Sequence, residues 1–407
     1  MLRVLTFSTL FPDVSRPGFG GFVERQTQAL AARDDVEVEI VVPTGIAPWP
    51  LSKHRNYNRL RTLPNFESWN GLSVYRPRYP VIPKIGARFS PRFIAHSLLP
   101  VMRGIRERFP FDVIDAEYFY PDGPAAMHLA EALDVPFSVK ARGSDIYFWS
   151  RKAAIAKQIR DTGQAASGIV AVSEAIARKM VALGLPGDKI SVQYTGIDQK
   201  LFAPVDRALA KTALGVAGPL IVSVGALIPL KGQALLIDAM VDLPDASLWL
   251  IGDGPDHSKL QDKISALQLE DRVRLLGNIP HRDVAHLMGT ADVMALASAS
   301  EGLANVWVEA LACGTPVVTT DVGGAAEVVK QPGSGAIVPR EARAFAEAIG
   351  AILENPPDQT AVRATVEAFS WERNSAALFA QLSNLTKNPR EFNIKPKAHH
   401  YRLPAPT

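Results

Sequence analysis

At 407 residues the chain is too long for one ordinary core, so two domains are expected. Hydrophobic residues make up 47% and charged residues 21%, as in a soluble globular protein, and the net charge of +3 gives no overall case for nucleic acid as a partner. One cysteine, Cys313, excludes an internal disulfide and suits a reducing, cytoplasmic setting.

In chain order, residues 2–7 read as a first strand and not as a secretion signal. A loop from Ser8 to Phe22 contains Gly20 and Gly21, and a helix is expected over 22–32 and a strand over 36–42. The stretch 43–71, rich in Pro, Asn and Arg, is expected to be irregular, with a short extended piece at 72–76. Residues 84–108 read as helical and basic, with Phe89, Phe93, Leu99, Met102 and Ile105 on an apolar side. Regular alternation then begins. Strands at 112–116, 136–141, 168–172 and 189–194 are separated by helices at 123–133, 150–165 and 174–183, with Ser173 as an N-cap. Residues 202–206 form a linker. Further strands at 219–224, 247–251, 272–276, 292–297 and 315–320 alternate with helices, the last helix lying at 341–353. Such alternation builds parallel sheets covered by helices on both faces. Two sets in one chain give an α/β protein of two doubly wound domains, whose ligands bind beyond the strands' carboxyl ends. No apolar run long enough to span a membrane is present, and the eight histidines are scattered without metal-ligand spacing.

The stretch from Ala299 to Val318 carries the densest chemistry. Glu301 follows a buried strand, Gly302 opens a helix, Glu309 lies on that helix, and Gly314 ends it as a left-handed cap. Free N–H groups near 302–305 make an anion site with an acceptor carboxylate on either side. Gly20, Gly21, Gly225, Gly252 and Gly277 also sit in loops expected at strand C-termini, where a backbone can approach phosphate closely. Lys231, after one such loop, is either a cation beside phosphate or a solvated surface lysine. From Lys53 to Arg108 there are twelve Lys/Arg and two acids, Glu67 and Glu107. That segment is either a solvated face or a surface for anionic lipid.

These motifs together resemble the retaining glycosyltransferases of family four. The resemblance rests on Gly225, Lys231-Gly232, Gly252-Asp253-Gly254-Pro255, Glu301, Glu309 and Ala310-Leu311-Ala312-Cys313-Gly314-Thr315-Pro316-Val317-Val318 in the second half. In the first half it rests on Gly20-Gly21-Phe22-Val23-Glu24, Pro121-Asp122-Gly123, Gly143-Ser144-Asp145, Val172-Ser173 and Gly196-Ile197-Asp198. It implies the GT-B fold: two Rossmann-like domains facing across a cleft. The N-terminal acceptor-side domain would span 1–203, with 373–387 crossing back to it after Phe369-Ser370-Trp371-Glu372. The donor-binding domain would span 204–372, and 388–407 would be a flexible tail.

The resemblance implies a metal-independent enzyme without a cofactor. It would move a sugar, with retention, from a nucleotide-diphosphate donor to a sugar or lipid-linked hydroxyl, in surface or exopolysaccharide synthesis. Lys231 would meet the donor diphosphate, Glu309 the ribose and Glu301 the transferred sugar. The backbone at Gly302, Leu303 and Ala304 would hold sugar and phosphate. Gly225 precedes the lysine loop, Ile279 would flank the base, and Gly20 and Gly21 would cover the diphosphate. Lys231 and Glu301 are the expected catalytic pair. Three departures stand out: Ala226 replaces a basic residue, and Glu117 and Arg142 stand where histidines are frequent. Arg142 would bind phosphate or an anionic acceptor, or make a structural contact with Asp145. Glu117 would act as a base toward an acceptor hydroxyl, or be a solvated carboxylate. Glu117, Arg142 and Asp145 are thus the expected acceptor side. The location implied is the cytoplasm, peripheral on the inner face of the membrane. A 2-epimerase of the same fold and a non-catalytic binding partner remain as alternative readings.

Overall fold

The computed structural model describes residues 1–48, 59–82, 86–331 and 333–387. The expected tail at 388–407 and part of the basic segment, 53–58 and 83–85, lie outside the described residues. The first half contains β1 (Leu2–Phe7), α1 (Gly21–Ala31), β2 (Val36–Val41), β3 (Thr44–Ile46), β4 (Phe66–Trp69), β5 (Leu72–Tyr75), β6 (Arg78–Pro80) and α2 (Ser90–Arg108). It continues with β7 (Val113–Ala116), α3 (Asp122–Leu133), β8 (Phe137–Ala141), α4 (Ser144–Tyr147), α5 (Ala153–Ala165), β9 (Gly168–Ala171), α6 (Glu174–Ala182) and β10 (Ile190–Val192). The second half contains α7 (Arg207–Leu214), β11 (Leu220–Val224), α8 (Gln233–Ala239), β12 (Ser247–Ile251), α9 (His257–Ala266), β13 (Val273–Gly277), α10 (His281–Thr290) and β14 (Val293–Leu296). After it come α11 (Asn305–Ala312), β15 (Val317–Thr320), α12 (Ala325–Val328), β16 (Gly335–Val338), α13 (Ala342–Glu354), α14 (Gln359–Ala364) and α15 (Trp371–Lys387).

Among the described residues, the first sheet has eight strands in the order β10-β9-β8-β7-β1-β2-β5-β4, parallel except for β4 against β5. The second has six parallel strands in the order β13-β12-β11-β14-β15-β16. Numbered within its half, the second order is 3-2-1-4-5-6, that of a Rossmann domain. Every residue of β7, β8, β9, β14 and β15 is buried. Helices on both faces exclude water from these strands, which is why they read as apolar runs without alternation. The order reverses between β1 and β7 in one half and between β11 and β14 in the other, and the loop after β8 meets the loop after β14 where Gly143 lies against Gly302.

Two expectations need correction. Within 43–71, residues 49–58 lie outside the described residues, and the rest is not wholly irregular: β3 pairs with β6, and β4 is an antiparallel edge on β5. Strands of three or four residues carry too little alternation to stand out among Pro and Asn. The apolar side of α2 is also different. Its buried stripe is Ile94, Leu98, Met102 and Ile105, packed toward α3, whereas Phe89 is 37% exposed and Phe93 and Leu99 are half-buried. A helix buries residues spaced three or four apart on the face its neighbour covers, and only the tertiary fold selects that face.

The chain returns to its beginning. Ile197 bridges to Ser370, and α15 then lays Leu378, Leu382 and Leu385 on Leu2, Val4 and Leu30 of the first half. Gln26 donates to Asn374 at 2.9 Å, and Asn374 donates to the Tyr194 carbonyl at 2.8 Å.

Candidate active site

Lys231 and Glu301 come from the two loops at the second switch point. The loop after β11 tightens into a turn at Pro229–Lys231, and Gly232 (φ 74°) starts α8. A Cβ on Gly232 would lie 2.2 Å from the Ala297 carbonyl oxygen, so only glycine lets this turn sit against the end of β14. The approach brings Lys231 Nζ to Glu301 Oε1 at 2.6 Å, and Ser298 donates to the same oxygen at 2.6 Å. Both side chains of the ion pair are largely buried.

The helix after Glu301 begins later than the sequence suggests. Gly302, Leu303 and Ala304 are not helical, and α11 starts at Asn305 with Ala304 as its N-cap and no side-chain cap. Trp307 N–H bonds back to the Ala304 carbonyl at 3.0 Å, and the N–H groups of Asn305 and Val306, ahead of it, have no acceptor within the helix. Gly314 (φ 75°) follows the end of α11, in the left-handed conformation read from the sequence. Glu309 is 6% exposed, and His281 Nε2 lies 3.4 Å from its Oε1. His281 is the first residue of α10, and its ring meets Phe202 edge-on with centroids 5.0 Å apart. Ile279, half-buried, sits two residues before it, and Gly225 is packed beneath the Lys231 stem.

The first half approaches this site at three places. Gly143 lies against Gly302: a Cβ on Gly302 would be 2.4 Å from the Arg142 carbonyl oxygen and 3.0 Å from the Gly143 Cα. Arg25, one turn into α1 after Gly20 and Gly21, places NH2 3.4 Å from His281 Nδ1. Glu327 of α12 accepts from the N–H groups of Glu174 at 2.8 Å and Ala175 at 2.9 Å, and from the Tyr194 hydroxyl at 3.0 Å. A carboxylate at a helix N-terminus is electrostatically favoured, so Glu327 ties the two halves together.

Glu117, Arg142 and Asp145 form a different kind of assembly from the one expected. Glu117 is 1% exposed. Lys140 donates to it at 2.5 Å and to Asp115 at 2.5 Å, and Arg142 pairs with its other oxygen. Burial alone would raise the Glu117 pKa, but the two cations together hold it below the usual carboxylate range. It is neither solvated nor suited to take a proton from an acceptor hydroxyl. Arg142 also donates to the Glu117 carbonyl at 3.2 Å and to Gln26 Oε1 at 2.6 Å, so its guanidinium is committed within the protein. Its contact with Asp145 runs through the backbone N–H. Asp145 is fully buried, accepts backbone N–H groups from Phe119, Arg142, Gly143 and Ile146, and has its pKa raised by burial. It anchors the loop that presses on Gly302. Asp122, buried beside it, holds the loop after β1 by accepting from Thr9 N at 2.9 Å and Thr9 Oγ1 at 2.7 Å. Burial pushes its carboxyl up to about 7.

The structure thus brings Lys231, Glu301, Gly302, Leu303, Ala304 and Glu309 to one edge of the second half. It gathers Glu117, Arg142 and Asp145 in a buried network behind the facing loop. Arg25, His281, Ser298 and Glu327 were not singled out as site residues in the sequence; His281, at the start of a helix after Pro280, was the one with a local signal. Among the described residues, no group of three or more His, Cys, Asp or Glu could hold a metal ion. Nor is any helix among them long and apolar enough to cross a membrane.

A six-stranded parallel sheet and an eight-stranded sheet parallel but for its β4 edge, with a cation and carboxylates at the switch point, define a GT-B glycosyltransferase. Family comparison agrees: residues 18–201 match Glycosyltransferase Family 4 and residues 206–368 match Glycosyl transferases group 1. The chain belongs to the group 1 glycosyltransferases. It is 31% identical over 400 residues, 95% of this chain and 99% of the relative, to a Bacillus subtilis (strain 168) protein, TuaC, assigned by its name alone to teichuronic acid biosynthesis. It is 35% identical over 220 residues to the D-inositol 3-phosphate glycosyltransferase of Mycobacterium tuberculosis (strain ATCC 25177 / H37Ra), 50% of this chain and 46% of that one. Among solved structures, sucrose-phosphate synthase from Thermosynechococcus elongatus superposes with a TM-score of 0.78 at 20% identity, over 95% of this chain and 100% of that one. Anabaena HepE in complex with UDP gives 0.72 at 22%, with the same coverage.

Proposed function

We propose that the chain transfers a sugar, with retention of anomeric configuration, from a nucleotide-diphosphate sugar to a hydroxyl of a glycan or lipid-linked glycan during surface polysaccharide synthesis. The observation that carries this reading is the Lys231–Glu301 pair beside the uncapped start of α11. A diphosphate arriving there meets an ammonium and a helix N-terminus, the two features that stabilise charge building on a phosphate leaving group. On this reading Glu309, with His281 against it, would hold the ribose hydroxyls, and Ile279 would flank the base. Gly20 and Gly21 start α1 on the facing half and would cover the diphosphate. The solved structures of HepE with UDP and with UDP-glucose support a nucleotide-sugar donor, and the name of TuaC supports polysaccharide synthesis.

Glu117 and Asp145 are consumed by internal bonds, so neither serves as a free base on the acceptor side. Attack from the face the diphosphate leaves, with a departing phosphate oxygen taking the acceptor proton, fits that arrangement. The test is the product's anomeric configuration by proton NMR after transfer from a defined nucleotide-sugar. Retention is the expected result. An inverted product, or conversion of the donor to its epimer without acceptor, contradicts the reading.

The basic residues of α2 and of the turn before it complete the proposal. Arg88, which stacks on Phe89, and Arg92 and Arg103 are exposed and would dock on anionic lipid at the inner face of the membrane. Each basic residue near such a surface contributes about 1 kcal/mol. Changing all three to Glu should sharply reduce co-sedimentation with phosphatidylglycerol vesicles at low salt; sedimentation equal to the parent's refutes the docking.

A further inference from the structure

An aromatic corner follows in sequence on the loop that touches Gly302, and the donor chemistry does not use it. Gly143 touches Gly302, and the next residues form the single turn of α4. That turn advances about 6 Å along its axis and ends at Phe148 and Trp149. Phe148 is 53% exposed. Its ring meets Trp149 edge-on, with centroids 5.2 Å apart and planes at 79°. Trp149 is backed by the buried Tyr120 ring at 5.3 Å, and the Tyr120 hydroxyl donates to the Ala87 carbonyl at 2.5 Å. The corner is therefore held from behind.

Two cations flank it. Lys152 Nζ lies 4.8 Å from the Trp149 ring centre and 5.7 Å from that of Phe148. Arg151 is exposed beside it. Among the described residues, no carboxylate lies within ion-pair distance of Lys152 or Arg151. A large exposed aromatic residue on a loop, with unpaired cations around it, marks a recognition surface.

We propose that Phe148, Trp149, Lys152 and Arg151 bind an anionic glycan, the growing acceptor chain, so that its terminal sugar reaches Glu301. The proposal rests on the donor-site reading above, because the acceptor must arrive where the Gly143 loop meets Gly302. Pyranose rings present apolar C–H faces that stack on aromatic rings. Two rings at a near right angle form a corner that fits successive sugars of a chain, whereas a lipid surface needs apolar groups in one plane. Lys152 covers the faces a sugar would take. Turning outward, it exposes them and meets a carboxylate on that sugar.

The experiment is calorimetric titration of the parent, Phe148→Ala and Lys152→Glu with three probes. These are a glucuronate-containing tetrasaccharide, neutral maltotetraose and phosphatidylglycerol vesicles. Melting curves confirm that the variants fold. The parent should prefer the acidic tetrasaccharide, and each variant should bind it about tenfold more weakly. Vesicle binding should be unchanged. Three results overturn the proposal: no binding of the acidic tetrasaccharide by the parent, equal binding by the variants, or a loss confined to vesicles, which makes the corner a lipid contact. Hydrolysis of nucleotide-sugars by the parent alone is measured in parallel. If it proceeds while the corner results fail, only the corner is refuted; if no donor is hydrolysed, the donor-site reading falls instead.

Discussion

Replacing Lys231 with alanine is expected to lower transfer by about 10²–10³-fold in kcat, with a smaller effect on donor KM. The lysine reaches the mouth of the second switch point because Gly232 lets its turn abut Ala297, and it is held there by Glu301. In the resting enzyme the two charges neutralise each other. On the proposed reading a departing diphosphate would find the ammonium already beside it, so little reorganisation would be needed as charge develops. A lysine acting only in ground-state binding would raise KM and leave kcat intact. Steady-state kinetics of the variant with any accepted donor distinguishes the two. Ala226 offers no second cation on this loop, so the loss should not be buffered. Full activity in the variant would remove Lys231 from the mechanism.

The second large effect belongs to a residue that touches no substrate. Lys140 is fully buried and donates to Asp115 and Glu117. With Arg142 the four charges balance. Lys140→Met leaves one surplus negative charge without solvent, and losing one partner of a buried pair costs about 3–5 kcal/mol. The loss should depend on pH. Burial already pushes the Asp115 carboxyl up to about 6, and removing Lys140 raises it further above its unfolded value. The native variant then holds a proton that the unfolded chain releases, so its stability falls as pH rises through that window. Denaturant unfolding at pH 5 and pH 8 should show the larger deficit at pH 8. Adding Asp115→Asn should recover part of it. A variant as stable as the parent at both pH values would contradict the charge balance.

The gathering of Glu301, Gly302 and Glu309 at one edge was legible because these residues are close in sequence and their spacing fits one strand, one loop and one helix. Glu301, Gly302, Glu309 and Gly314 need only the β14–α11 connection to come together. Lys231 needed a second loop, and alternating strands placed that loop at the same edge. On the facing side, neither expected reading of Glu117, base or solvated carboxylate, fits its burial, whereas the contact of Arg142 with Asp145 is present through the backbone. A signal was present nonetheless. Asp115 lies on β7 with Glu117 two residues on, just past its end; Lys140 lies on β8 with Arg142 likewise; and β7 pairs with β8 with Asp115 opposite Ser138. Charges at i and i+2 on neighbouring buried strands must face one another, and opposite signs there predict a buried network. Glu327 and Arg25 were not legible, because each meets its partner only when the two halves close. Stretch 43–71 and the buried stripe of α2 depended on tertiary partners in the same way.

The most direct test of the central claim is a structure of the chain with a nucleoside diphosphate bound. The account predicts the diphosphate at Lys231 Nζ and the first turn of α11, the ribose on Glu309, and the Lys231–Glu301 contact opened. A diphosphate held instead by the Arg142 loop, with Lys231 still on Glu301, would contradict it.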